Sequence, residues 1–301
     1  VNSSQPPRAA PNTAVSTAPN GQAPPPTAGH AVLAVKIDNV DAARPATGLV
    51  DAAQIYVEPV EAGLTRLIAV YTEPRPPVIG PVRSARITDL ELSAQFGRPQ
   101  LAFSGAAPPV LAQVETASVF DASPAREPNA YFREPGRPAP HNLYLRPARL
   151  PSPPAGSSHL EQPTGPPPAG GVPTTEQRVR YPAASFDFRW SPGSRTWLVS
   201  MDASGFRDTA DGQLAAGTVV IQQVSARSEG FPEDSGGSVA PIAQTVGTGR
   251  AQVLRDGESF SATWSRPTPG DATTLTTTTG QPLPFAPGQT WVVLLSTPPT
   301  G

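Results

Sequence analysis

One stretch of the chain, residues 54–96, contains most of the side chains that could do chemistry. It concentrates Glu58, Glu61, Arg66, Arg83 and Arg86 between its predicted elements. Arginine forks bind phosphate and carboxylate groups, and a pair of carboxylates can act as a general acid and a general base. The stretch therefore holds the residue types needed to bind an anionic group or to hydrolyse a bond.

A helix is predicted over residues 85–96. Ile87, Leu90 and Ala94 recur at helical spacing, and Ser84 is a suitable N-cap. A helix N-terminus carries partial positive charge and unsatisfied N–H groups. Cations near this point therefore need a local explanation.

Arg83 and Arg86 are the two cations placed there. The helix dipole disfavours each of them by up to about 1 kcal/mol. An internal carboxylate would relieve this cost, with Glu58, Glu61 and Asp89 as candidates. A bound phosphate or carboxylate group would relieve it equally well, so both interpretations stay open at this point.

Arg66 lies in a predicted strand, LTRLIAVY (64–71), which follows the strand QIYVEPV and the turn EAG. Side chains alternate between the two faces of a strand, so Arg66 shares a face with Leu64, Ile68 and Val70. A charge on an otherwise aliphatic face must be paired or must line a polar cavity.

The sequence suggests two catalytic hypotheses. Glu58 and Glu61 could act as paired carboxylates, although Pro59 between them prevents a shared helical face. His141 could activate Ser84 or Ser104, although the AFSGA segment around Ser104 lacks the glycines of a nucleophile elbow.

The sequence predicts no cofactor. It has no cysteine, and His141 is the only histidine outside the proline-rich segments, which disfavours zinc. An oxygen-ligand metal site built from Asp and Glu stays open. A different interpretation of His141 and Asn142 is that they hydrogen-bond to backbone groups of their own loop.

The composition of the sequence disfavours several classes of protein. The net charge is -2 and 15% of the 301 residues are charged, which argues against a nucleic-acid-binding protein. No apolar run reaches the length of about 18 residues that a membrane helix requires. The 41 prolines imply extensive non-helical connections.

Two proline-rich segments divide the chain. Residues 1–30 are predicted to be a disordered tether, and 151–177 a linker or long surface loop. Residues 31–150 are predicted to form an α+β domain with a strand-hairpin-helix unit. Residues 178–301 read as a largely antiparallel β domain, because short β-rich runs alternate there with turn pairs such as Asp256-Gly257.

Several segments outside the proline-rich regions carry a resemblance to a known family. They are KIDN (36–39), ARP and GL within 43–49, EPVEAGLTRLIAVY (58–71), IGPVRSAR (79–86), APHNLY (139–144), GTGRAQVLRDGESFSATW (247–264) and PGQTWVVLL (287–295). On these residues the chain resembles the YerB-like lipoprotein family, a bacterial envelope family of uncharacterised function. The resemblance implies a secreted, extracytoplasmic protein held at the membrane only by an anchor upstream of Val1.

The first functional hypothesis is a non-enzymatic envelope module. In it Arg66, Arg83, Arg86 and His141 bind an anionic group on a cell-wall polymer or an envelope protein. The alternative is an envelope hydrolase or transferase that acts on a phosphorylated or glycan substrate, with Glu58 or Glu61 as the acid/base. A third interpretation is that these polar residues only brace the fold.

Overall fold

The computed structural model describes residues 31–210, 212–228, 231–232 and 237–297. The predicted tether, residues 1–30, lies outside the described residues. Within them the chain is mostly strands, with a few short helices.

The first half of the described chain contains short strands, two α-helices and several 3-10 turns. The strands and α-helices are β1 (Leu33–Ile37), β2 (Gln54–Pro59), β3 (Thr65–Tyr71), α1 (Ile87–Ser93), β4 (Gln100–Ala102), α2 (Pro108–Val114), β5 (Phe120–Asp121), β6 (Tyr131–Arg133) and β7 (Leu143–Leu145). The 3-10 turns are Asp41–Ala43, Leu49–Asp51, Glu61–Gly63, Ala94–Phe96, Pro128–Ala130 and Pro147–Arg149.

The described part of the second half is built from strands. They are β8 (Val172–Pro173), β9 (Glu176–Tyr181), β10 (Ala184–Ser191), β11 (Thr196–Met201), β12 (Ser204–Gly205), β13 (Arg207–Asp208), β14 (Gly212–Gln213), β15 (Ala215–Ala216), β16 (Thr218–Arg227), β17 (Ile242–Ala243), β18 (Gly247–Arg255), β19 (Glu258–Arg266), β20 (Thr274–Thr277) and β21 (Thr290–Thr297). The predicted Asp256-Gly257 turn joins β18 to β19, with φ of 51° and 79° at its two residues.

One large sheet contains strands from both halves of the chain. Its order is β20-β19-β18-β16-β21-β2-β3-β1-β4-β5, and β17 and β8 pair with β16 and β19 off this path. The last strand, β21, lies between β16 and β2 and so joins the two halves through hydrogen bonds. The predicted domain boundary therefore crosses a continuous sheet within the described residues.

The second half is largely antiparallel, as predicted, and the direction of β21 is an exception. β21 runs parallel to both neighbours, with Thr290 in register with Thr218 and with Gln54. Turn residues reveal only strands that are consecutive in the chain. A parallel neighbour is reached by a long connection that leaves no local signal, which explains why the sequence did not reveal this exception.

A smaller sheet, in the order β12-β11-β10-β9 with β15 beside β11, packs on one face of the large sheet. Trp291 of β21 lies in this interface, with ring centroids 6.0 to 6.2 Å from those of Phe186, Phe188 and Phe206. These aromatic rings form the centre of the core between the two sheets.

The other face of the large sheet is covered by α1 and its continuation. Ile68 and Val70 of β3 pack there with Leu90 of α1 and with Phe96. The predicted helix over 85–96 is thus confirmed as α1 followed by the 3-10 turn Ala94–Phe96. The proline-rich segment 151–177 runs along the surface, and its Val172–Pro173 strand pairs with β19.

Among the described residues, no helix is both long enough and apolar enough to cross a membrane.

Trp291→Ala should lower the free energy of unfolding by about 3 to 5 kcal/mol, because it leaves a cavity between the two sheets. Urea unfolding followed by circular dichroism measures this loss. Val172→Ala is the matched control, since that side chain is 63% exposed and its loss should cost less than about 0.5 kcal/mol. Equal losses for the two variants would contradict the central role of Trp291.

Candidate functional site

The charged residues predicted from residues 54–96 converge at one edge of the large sheet. β1 and β4 are parallel, so their carboxyl ends lie at the same edge. β3 is antiparallel to β1, which brings the β2–β3 turn to that edge as well. A segment through Arg83 lies between the two strand ends, with Arg83 N–H donating to Lys36 O at 2.8 Å and Ser104 N–H donating to Arg83 O at 2.9 Å.

Four charged side chains share the face of the sheet that α1 covers. Lys36 follows Ala34 at a two-residue spacing in β1, and Arg66 precedes Ile68 by two residues in β3. Asp38 continues the alternation of β1, and Glu58 that of β2. The expectation that Arg66 interrupts an aliphatic face is confirmed, and three further charges accompany it.

Asp38 is the centre of the first group, which we call the Asp38 cluster: Asp38, Arg66, Arg83 and His141. Its carboxylate is fully buried and lies 2.8 Å from His141 Nδ1, 3.2 Å from Arg83 Nε and 3.5 Å from Arg66 Nε. One carboxylate therefore faces three cationic or potentially cationic side chains.

The members of the Asp38 cluster differ in accessibility. Arg66 is buried, burial lowers its pKa, and the Asp38 charge opposes that effect. Arg83 and His141 keep 26% and 20% of their side chains exposed. The outer part of the cluster is thus formed by Arg83 and His141.

Asp38 belongs to the candidate site but is not among the residues predicted from the sequence, where it occurs only within the KIDN segment. The available signal was its position, because an acidic residue directly after a buried strand lies at a sheet edge where other strands also end.

Arg86 has an internal partner. Its Nε donates to Glu61 Oε2 at 2.9 Å and its Nη2 donates to Glu61 Oε1 at 2.6 Å, while Nη1 donates to the carbonyl oxygen of Ala85 at 3.0 Å. Burial alone would raise the pKa of Glu61, but the hydrogen bonds and charge of Arg86 hold it below its usual value. For Arg86, the internal carboxylate is the correct explanation.

Lys36, Glu58 and Asp89 form a second, fully buried group. Lys36 Nζ donates to Asp89 Oδ1 at 2.8 Å and also to Glu58 Oε1. Burial and then the Asp89 charge raise the pKa of Glu58, against the opposing charge of Lys36. The other Glu58 oxygen has no hydrogen-bond partner within the described structure.

The paired-carboxylate arrangement of Glu58 and Glu61 is absent from the described structure. Glu58 is enclosed beside Lys36, whereas Glu61 is bound on both oxygens by Arg86. Neither carboxylate faces a space in which a substrate could meet both. Sequence spacing could not show this, because it does not specify which cation each carboxylate meets.

Ser84 is not the N-cap of α1. Arg86 occupies that position, and Asp89 Oδ2 accepts its backbone N–H at 2.6 Å. The acidic residue in the first turn thereby supplies the negative charge that the helix start requires. Ser84 Oγ instead lies 3.4 Å from Ser104 Oγ, and both residues are partly exposed.

Asn142 has a structural role in the loop before β7. Its Oδ1 accepts from Arg133 Nη1 at 2.7 Å and its Nδ2 donates to the carbonyl oxygen of Arg137 at 3.0 Å. Its neighbour His141 points to Asp38 instead. The two residues of the predicted His-Asn pair therefore have different partners.

Comparisons with known proteins identify the family of the chain and a solved structure with a similar fold. A family model described as "Protein of unknown function (DUF3048) N-terminal domain" matches residues 20–158, and the corresponding C-terminal domain model matches residues 177–292. The chain is similar to the crystal structure of YerB protein from Bacillus subtilis, with 20% identity, 89% of this chain and 91% of that chain covered, and a TM-score of 0.73. A search of curated proteins found no match. The resemblance predicted from the sequence is thereby confirmed.

Arg86→Ala should destabilise the fold by about 3 kcal/mol, because it leaves the buried Glu61 carboxylate without its partner. Urea unfolding at pH 7 measures the change. Arg195→Ala is the control, since its ion pair with Asp256 involves a side chain that is 74% exposed, and it should cost less than about 1 kcal/mol. A small and equal loss in both variants would show that the Arg86–Glu61 pair contributes little.

Glu58→Gln should change how stability depends on pH. The raised pKa means that folded Glu58 keeps its proton at pH values where the unfolded chain releases it, so this group lowers wild-type stability as pH rises above its ordinary value of 4.5. Relative to wild type, Glu58→Gln should gain up to about 1.4 kcal/mol per pH unit from there towards neutrality. Unfolding curves between pH 4 and 8 test this.

The control for that titration is Glu176→Gln, an exposed position on β9. Its stability should follow the wild-type pH dependence. A constant difference between wild type and Glu58→Gln would show instead that Glu58 is ionised and paired with Lys36 in the folded protein.

Proposed function

The chain belongs to the YerB-like family of unknown function (DUF3048), and from this premise we propose that it is an extracytoplasmic envelope protein whose Asp38 cluster binds an anionic group. The ligand class is a phosphate or carboxylate group on a cell-wall polymer or on an envelope protein. The role is binding, without turnover. The envelope location rests on the family resemblance.

One observation carries the proposal: Asp38 is shared by three side chains, and two of them reach the surface. A single carboxylate cannot neutralise two guanidinium groups. An anion beside Arg83 and His141 would complete the charge balance.

The wider charge count supports the same conclusion. The cations Lys36, Arg66, Arg83 and Arg86 face the carboxyl groups of Asp38, Glu58, Glu61 and Asp89. Because one carboxylate, Asp38, faces both Arg66 and Arg83, positive charge exceeds negative charge within the Asp38 cluster. The excess lies where the cluster is accessible, because the Arg86–Glu61 and Lys36–Asp89 pairs are buried.

Arg83 has donors available for such a ligand. Its contact with Asp38 is made through Nε, and within the described chain no hydrogen bond from its Nη1 or Nη2 is formed. A guanidinium with free terminal N–H groups is suited to bidentate binding of a phosphate or carboxylate. His141 holds Asp38 through Nδ1, which leaves its Nε2 for the same ligand.

Hydrolase and transferase functions receive no comparable support. Glu58 is fully buried and Glu61 is held by Arg86, so neither is placed as an accessible acid or base. Ser84 and Ser104 contact each other, and no hydrogen bond from either hydroxyl to His141 is formed among the described residues.

Arg83→Ala should weaken binding of inorganic phosphate and of a phosphodiester-linked cell-wall glycopolymer by at least about ten-fold, since one charge-assisted hydrogen bond contributes about 1.5 to 3 kcal/mol. Isothermal titration calorimetry on the full chain at low salt measures both ligands. Arg126→Ala removes an exposed charge from the same half of the chain and is the matched control.

Arg83→Lys separates binding from folding. It keeps the charge beside Asp38 but loses the fork, so the variant should fold like wild type and bind between wild type and Arg83→Ala. Wild-type protein that binds neither probe, or a folded Arg83→Ala that binds as wild type does, would refute the proposed site.

A further inference from the structure

A second groove, separate from the Asp38 cluster, lies between the two sheets. Its volume is about 560 Å³, and it is open to solvent along the smaller sheet. β9 of the smaller sheet forms its wall, and outward-facing side chains of β16, β18 and β19 form its floor. We call it the β9 groove.

The floor of the β9 groove is polar. Arg250 and Gln252 of β18 stand opposite Thr263 and Ser261 of β19. They alternate with buried residues of the same strands, so the polar side chains all face the groove. Hydrogen-bonding groups therefore line this part of the floor, beside the apolar Ile221 and Leu295.

The wall presents free main-chain groups. β9 ends the order of its sheet and pairs only with β10 among the described strands. Thr175 O accepts the N–H of Trp190 at 2.9 Å, so residues at even spacing from Thr175 bond to β10. The N–H and C=O groups of the residues between them, Arg178 and Arg180 included, point away from β10.

A side-chain contact supports this orientation. Gln177 Nε2 donates to the carbonyl oxygen of Arg178 at 3.0 Å, which requires that oxygen to face outward. The Gln177 amide is at the surface and can be exchanged for an incoming donor. An unpaired edge of this kind accepts an additional strand.

The groove is also cationic. Arg178, Arg180 and Arg250 line it, and no Asp or Glu is among its described lining residues. Arg178 pairs with Asp187. Arg180 and Arg250 are exposed, and neither makes an ion pair within the described structure. Two arginines without carboxylate partners in the described structure therefore line one groove.

We propose that the β9 groove binds an acidic peptide in extended conformation, which adds as a strand to the free edge of β9. Main-chain N–H and C=O groups along one wall match a peptide backbone. Arg180 and Arg250 match acidic side chains. A polysaccharide is a poorer fit, since no aromatic ring for sugar stacking lines the groove. This ligand class is additional to the anionic group at the Asp38 cluster.

The experiment measures fluorescence anisotropy of a labelled eight-residue peptide that alternates Glu with Thr, titrated with the full chain at low salt. A peptide that alternates Lys with Thr is the charge control. The double variant R180A/R250A should weaken binding by at least about ten-fold. R189A/R207A removes two exposed arginines outside the groove and should bind as wild type does.

A proline at an outward-facing position tests strand addition. Glu176 lies one residue after Thr175, so its N–H faces away from β10, and Glu176→Pro blocks the edge without breaking a bond to β10. Glu176→Pro should bind the acidic peptide at least about ten-fold more weakly than Glu176→Ala, although both substitutions remove the same negative charge. Urea unfolding of both variants checks that the fold is intact.

Three results would overturn the proposal. One is an acidic peptide that does not bind, which would mean that the arginines of β9 only protect the edge from pairing. Another is that the acidic peptide binds Glu176→Pro and Glu176→Ala equally and that polygalacturonate binds the protein as tightly as the peptide does. The groove would then hold a polyanion by charge alone. The third is equal binding to R180A/R250A and wild type.

Discussion

The pairing of buried charges at the carboxyl ends of β1 and β4 is the constraint on which the first half of the structure depends. Lys36, Asp38, Glu58 and Asp89 are fully enclosed, and each needs a partner because a buried ionisable group without one is too costly. Pairing fixes the segment through Arg83 against both strands and attaches the start of α1 through Asp89.

That network also explains why one part of the site is available for a ligand and another is not. Arg86 and Glu61 satisfy each other through two hydrogen bonds and act as a brace. Arg83 and His141 instead share one buried carboxylate with Arg66 and stay partly exposed. Within this network, charge excess and accessibility coincide at Arg83 and His141, which is why the proposed ligand is placed there.

The second half contributes a different kind of surface. β21 enters the large sheet between β16 and β2 and buries Trp291 beneath the smaller sheet. With its centre attached in this way, the smaller sheet leaves the edge of β9 unpaired above the polar floor of β18 and β19. The continuous sheet holds both proposed binding regions on one framework.

The sequence by itself determined the strands of the hairpin and the meander, the helix after residue 86, the family, and the need for Arg66 to be paired. These features follow from the alternation of apolar and polar residues, from helical spacing and from turn residues, all of which can be read within a single segment of the sequence. The tertiary structure alone decided that β21 runs parallel between β16 and β2, that Glu61 takes Arg86, and that Asp38 and Lys36 collect the remaining charges. Those outcomes depend on which distant strands become neighbours, and spacing along the chain does not encode that information.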